Sequence, residues 1–209
     1  MPPTSVDLGF PHRWQAEVLP ARPLILPSRH FVYPRDAEEI ERGALEVLVR
    51  PDAGGQGDDT FPEHSPCAQR SPDAQSFLAT CALGFRDPAV PTGLWSTPKP
   101  EELCAVSGGY AYLIDTTAPE SFTMIPYRPV LSVRAAPDHN LLLFVGHHSI
   151  LAWGAAGRAW ESGKLSDEGI TITKVDGEAL HGLGWEMMSD KETSFALHLR
   201  TGDRTREVG

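Results

Sequence analysis

The sequence predicts an all-β protein, mainly antiparallel meander, forming a single β-rich domain over residues 1–209 with one short helix near residues 36–42. Three observations carry this expectation. From Ser76 onward, short apolar runs recur with little between them but turn residues. Those linkers carry hairpin and turn chemistry: Ser107-Gly108-Gly109, Pro137-Asp138-His139-Asn140, Gly154 to Gly157 and Asp176-Gly177. And the first 34 residues carry prolines at 2, 3, 11, 20, 23, 27 and 34, each of which fixes φ and removes a donor, so no long helix fits there.

Taken in order, the proline-rich opening leaves room only for short extended pieces. Pro23-Leu-Ile-Leu26 and His30-Phe-Val-Tyr33 are the candidates, placed on a sheet edge or around the core. The helix is expected at 36–42, where Asp36 can cap it, Glu38 and Glu39 suit its positive end, and Gly43 can close it. A strand follows at 44–49 and stops at Arg50-Pro51. Residues 51–74, with Asp52-Ala-Gly-Gly-Gln-Gly-Asp-Asp59 at their start, read as a long Gly/Pro/acid-rich loop inserted in the domain. Beyond it, strands are expected at 77–85, 103–106, 110–115, 122–127, 130–133, 141–146, 149–153, 170–175, 179–183 and 195–199. Leu141-Leu-Leu-Phe-Val145 has no polar member, so both its faces should be covered, and Ile150-Leu-Ala-Trp153 should return antiparallel to it.

Composition narrows the function classes. Hydrophobic residues make up 41% and charged residues 22%, enough apolar material for a real core. Lys and Arg number 18 against 28 Asp and Glu, a net charge of −10 with no basic run, which argues against nucleic acid and anionic membranes as partners. Cys67, Cys81 and Cys104 form no disulfide pattern. Met1 to Arg13 lacks the apolar stretch of a signal peptide, and no apolar run approaches the roughly 20 residues of a membrane helix. A cytoplasmic location is the resulting expectation.

A weak internal repeat runs through the C-terminal half. Gly109-Tyr-Ala-Tyr-Leu-Ile-Asp115, His148-Ser-Ile-Leu-Ala-Trp153 and Thr193-Ser-Phe-Ala-Leu-His-Leu199 each lead into a turn, with centres roughly 38 and 46 residues apart, near the about 40–50 of propeller blades. Leu142-Leu-Phe-Val-Gly146, Ile150-Leu-Ala-Trp153, Gly157 and Trp160, with Ala196 and Thr201-Gly202, resemble the repeats of quinoprotein-like β-propellers. That resemblance implies blades of about four strands, with Trp160 as a docking tryptophan. It departs from the pattern at Gly154 and His198, where an Asp belongs, in the spacing from Gly157 to Trp160, and at Arg206, where a Trp belongs. A β-sandwich remains the alternative architecture.

No G-x-S-x-G, H-E-x-x-H, P-loop, dinucleotide fingerprint or C-x-x-C occurs. His64 and Cys67 supply at most two of the four ligands of a structural zinc site, so no metal and no cofactor are expected. The binding candidates are His147 and His148, at a turn between two strong strands, with Trp153, His181 and Trp185 as aromatic or titratable neighbours. Methionines beside Trp185 suit an adaptable surface. The reading is a non-catalytic binding or interaction module for a protein or small-molecule ligand. The alternative is a hydrolase-type enzyme with a His/carboxylate site near His147, His148 and His181; a quinone-cofactor dehydrogenase is disfavoured, since function does not follow from fold.

Limited proteolysis should cut first within residues 52–72, whose composition cannot bury enough apolar surface to offset ordering entropy. Preferential early cleavage between residues 100 and 200 would overturn that reading.

Overall fold

The computed structural model describes residues 4–35, 43–52 and 75–205. The expected helix at 36–42, most of the expected loop at 51–74, and His64 and Cys67 lie outside these residues. The described chain is nearly all β, arranged as four sheets that follow one another along the sequence. No helix in it is long and apolar enough to cross a membrane.

β1 (Ser5–Asp7) belongs to the second sheet. The first sheet holds β2 (Trp14–Leu19), β3 (His30–Tyr33), β4 (Ala44–Pro51) and β5 (Phe77–Ala82) in the spatial order β2-β4-β5-β3. β3 is a parallel edge strand on β5, and the other pairs are antiparallel. The second sheet is the meander β6 (Gly93–Ser96), β7 (Glu102–Ser107), β8 (Tyr110–Asp115) and β9 (Phe122–Met124), with β1 parallel to β6 on its edge. The third is the meander β10 (Ser132–Ala136), β11 (Leu141–Val145), β12 (Ile150–Gly154) and β13 (Gly157–Glu161). The fourth is β14 (Ile170–Asp176), β15 (Ala179–Glu186) and β16 (Lys191–His198).

Turn chemistry fixes where the strands reverse. Gly108 and Gly109 both take positive φ, so β7 and β8 close on a two-residue loop with Ser107 opposite Tyr110. Asn140 takes the left-handed conformation after a single 3-10 turn, Pro137–His139, and starts β11. Several boundaries differ from the sequence expectation. The strand expected through 85 stops at Ala82, because the amides of Gly84 and Phe85 bond to Ser107 and Gly108 in the second sheet. The strand expected at 130–133 becomes Ser132–Ala136, since the Val130 amide is taken by Gly109 O at 2.7 Å. Residues 23–26 form no strand: they lie between Pro23 and Pro27, and Leu24 and Ile25 are fully exposed. β1, β2, β6 and β13 were not among the strands expected from the sequence.

The sheets stack face to face in chain order. Trp14, Tyr33, Val47 and Phe77 of the first sheet pack on Leu94, Leu103, Tyr112 and Ile114 of the second. Cys104, Val106, Ala111 and Leu113, on the second sheet's other face, pack on Leu142, Phe144, Leu151 and Trp153 of the third. Leu143, Val145, Ile150 and Ala152, on the third sheet's other face, meet Leu180, Phe195 and Leu197 of the fourth. The two central sheets are thus covered on both sides, which explains why β11 has no polar residue and is wholly buried. β14, by contrast, is at an end of the stack and alternates half-buried with exposed residues over its first half. Trp160 joins the last two sheets: its Nε1 donates to Leu199 O at 2.6 Å, and its ring lies on Gly202, where a Cβ would stand only 2.4 Å from a ring carbon.

Phe144 stands opposite Val133 and Leu151 and reaches the second sheet. Phe144→Ala should therefore cost about 3–5 kcal/mol through lost burial and a residual cavity. His148→Ala, at an exposed turn, should cost about 1 kcal/mol or less. Urea unfolding of both variants tests this; comparable losses would make His148 a structural residue.

Candidate functional site

The β11–β12 hairpin closes through a four-residue loop, residues 146–149, held by the Gly146 amide on Ser149 O at 3.0 Å. His147 is half-buried and His148 exposed, with ring centroids 6.1 Å apart. His148 Nδ1 lies 3.1 Å from the Ser166 carbonyl, which can only accept, so Nδ1 carries the proton and neutral His148 leaves Nε2 as an acceptor. Beside it, a shallow concavity of about 300 Å³ is lined by His148, Ser149, Ser162 and Lys164. Tyr127 Oη donates to Glu161 Oε1 at 2.9 Å and meets Ser149 Oγ at 2.7 Å. The nearby carboxylates are committed elsewhere. Glu161 pairs with Arg158 at 2.7 Å. The Asp167 carboxyl is held below its usual range by Lys164 and by the Met187 amide. Among the described residues, no carboxylate hydrogen-bonds His147, His148 or His181.

The remaining candidates fall in other places. Trp153 sits at the far end of β12 in the core, and its Nε1 donates to Glu102 Oε1 at 2.8 Å. His181 and Trp185 share β15, four residues apart and half-buried, and His181 faces Lys174 and Ala196 across the ladder. Only Trp185 is linked to the histidine loop. Its amide donates to Ser166 Oγ at 2.8 Å, its carbonyl accepts from the Asp167 amide at 2.7 Å, and Ser166 O is the group that His148 holds. Met187 and Met188 are exposed at the following turn. Among the described residues, no three His, Cys, Asp or Glu side chains cluster as metal ligands. Cys81 and Cys104 are buried free thiols whose pKa values burial pushes up, so they stay protonated.

A larger concavity was not found by sequence reasoning. It measures about 880 Å³ and opens where the first two sheets meet, at the ends of β2, β5 and β7 and the start of β4. Val18, Leu19, Leu45, Leu83 and Phe85 give it apolar walls, and Thr92 and Ser107 give it hydroxyls. Arg22, Glu46, Arg86 and Asp87 complete the charged part of its lining. Along β7, Leu103 and Ala105 face the first sheet while Cys104 and Val106 face the third, so alternation turns Ser107 toward the first sheet as well. The Ser107 side chain is fully buried, and its Oγ has no hydrogen-bond partner.

The acids of this groove are already engaged. Thr80 Oγ1 donates to Glu46 Oε2 at 2.6 Å; having spent its one proton, the same oxygen accepts from His30 Nε2 at 2.9 Å. Burial, and then the Arg22 charge, lower the pKa of His30. Asp87 Oδ1 accepts from the Ala89 amide at 2.8 Å. The one sequence signal that could have marked the groove is Ser107 itself: a hydroxyl on the inward phase of a strand, just before a Gly-Gly turn. No protein-family model matches the chain, and no curated protein matches it.

Trp153 can be tested as a structural rather than a ligand-facing residue. Burial pushes the Glu102 carboxyl above its usual range, against the pull of the Trp153 N–H. A carboxyl raised in the folded state weakens the fold as pH rises through the carboxylate range. Glu102→Gln keeps an acceptor for Trp153 and removes the charge. Its melting temperature relative to the parent should therefore become more favourable from pH 4 to pH 7.5; the opposite trend would overturn this account.

Proposed function

We propose that this chain is a non-catalytic, soluble, cytoplasmic binding module for a small molecule, with its site in the groove between the first two sheets. The observation that carries this is the buried, unpartnered hydroxyl of Ser107 on the wall of an 880 Å³ groove. Ligand sites in proteins are typically clefts of about 300–1,000 Å³, mostly apolar, with a few polar groups that fix orientation. A buried hydroxyl left without a partner costs about 1–3 kcal/mol, which a polar atom of a ligand would offset. The hydrolase alternative draws less support, because the carboxylates near His148 are held by Lys164, Arg158 and Tyr127.

The blade-like reading of the sheets belongs to the same proposal. It is supported by the form of the second to fourth sheets, each a meander whose face packs on the next. It is supported too by Trp160, which docks across two sheets onto Gly202. Neither feature implies a quinone, since a fold does not carry its cofactor with it.

The neutral fluorescent probe N-phenyl-1-naphthylamine should bind with one-to-one stoichiometry. Ala21→Trp, at an exposed lining position, should plug the groove and weaken the probe by about tenfold or more, equivalent to about 1.4 kcal/mol, without loss of melting temperature. Ser107→Ala should leave the ligand-free protein as stable as the parent or more so, by up to about 1 kcal/mol, because it removes an unsatisfied group. Probe binding that is indifferent to Ala21→Trp, or a Ser107→Ala variant clearly less stable than the parent, would overturn the assignment.

A further inference from the structure

We infer that the ligand of this groove is an amphiphile with an anionic head group, its apolar body lying on Val18, Leu45, Leu83 and Phe85 and its head held by Arg22. The inference rests on the binding reading above and adds the chemical class of the ligand.

Three observations converge on it. First, the walls are largely apolar, with Val18, Leu19, Leu45, Leu83 and Phe85 among them. The loop that contributes Pro20, Ala21 and Arg22 to the lining runs on into Leu24 and Ile25, which are fully exposed. Burial of an aliphatic chain against the walls scales with the apolar area removed from water. Second, the charged groups of the lining, Arg22, Arg86, Glu46 and Asp87, are not equally engaged. Glu46 is occupied by the Thr80 hydroxyl and Asp87 by the Ala89 amide, whereas Arg22 has no carboxylate partner among the described residues. Arg22 is thus an exposed guanidinium without an ion-pair partner among those residues, at the rim of the groove. Its planar fork matches a carboxylate or phosphate in two parallel hydrogen bonds. Third, Ser107 Oγ is buried and unpartnered on the same lining, so a polar atom of the ligand brought to it would gain a hydrogen bond. An entirely aliphatic guest would leave that hydroxyl unsatisfied. A small inorganic anion would leave the walls bare.

The test is displacement of bound N-phenyl-1-naphthylamine by four ten-carbon amphiphiles, each below its micelle concentration: decanoate, decyl phosphate, decanol and decyltrimethylammonium. Decanoate, decyl phosphate or both should displace the probe at concentrations about tenfold or more below those needed for decanol and the ammonium compound, as a charge-assisted hydrogen bond implies. The better of the two anions identifies the head group. Arg22→Gln should erase that preference, and Arg22→Lys should restore part of it. Equal displacement by anionic, neutral and cationic chains overturns the anionic class and leaves the groove as a site. Failure of every amphiphile to displace a probe that Ala21→Trp still excludes overturns the amphiphile and likewise leaves the groove. Loss of the groove reading itself has a separate signature, a probe that Ala21→Trp does not weaken.

Discussion

Everything in this structure depends on burying both faces of the two central sheets. A sheet covered on both sides has no polar face, so its strands must carry apolar residues in both phases, and the sheets that cover it must each present one apolar face of their own. β8 shows the arrangement in one strand: Tyr112 and Ile114 go to the core shared with the first sheet, Ala111 and Leu113 to the core shared with the third. The consequence for function is positional. With the flat faces of the inner sheets used up, concave polar surface can form only where strands end. The two concavities described above are at such places, one at the β11–β12 turn and the other where β2, β5 and β7 run out.

The same constraint decides what was legible in the sequence. The doubly covered strands were the plainest to read. Leu141–Val145 has no polar member, and the Gly108-Gly109 pair marks the β7–β8 hairpin without ambiguity. The strands that escaped notice are short or lie on edges. β6 is four residues set between Pro91 and Pro98, and β2 mixes Gln15 and Glu17 into its run as befits an edge. β10 started later than its hydrophobicity suggests because Val130 is buried by the second sheet and its amide bonds there. That is a long-range partner, and no local pattern encodes it. The segment at 23–26 errs the other way: Leu24 and Ile25 have the composition of a strand, but the prolines on either side leave them outside every ladder.

The candidate site was less legible than the fold for a related reason. His147 and His148 could be placed at an exposed turn because hairpin chemistry is local. Trp153 looked like a companion only because it stands five residues from His148. An extended strand turns that separation into distance, and Trp153 ends in the core against Glu102. The larger groove draws its lining from residues as far apart as Thr4 and Ser107. Its distinguishing feature, a hydroxyl with no partner, exists only once the sheets are assembled.

Apolar stacking is non-directional, so face-to-face burial alone does not fix how the sheets register on one another. Here the polar tips of the large aromatics do that. Trp14 Nε1 of the first sheet donates to Glu102 O of the second, and Tyr112 Oη of the second donates back to Ala82 O at 3.0 Å. Tyr33 Oη reaches Pro119 O at 2.7 Å, Trp153 of the third sheet reaches Glu102 of the second, and Trp160 of the third reaches Leu199 beyond the fourth. Each bond crosses from one layer to the next and satisfies a group that would be costly to bury alone. In a stack stitched this thoroughly, Ser107 faces the first sheet and finds nothing to bond. The stitching therefore stops at the groove: the layers are pinned on one side of it by Tyr112 and Ala82, and the space left beyond that bond is the space a ligand can enter.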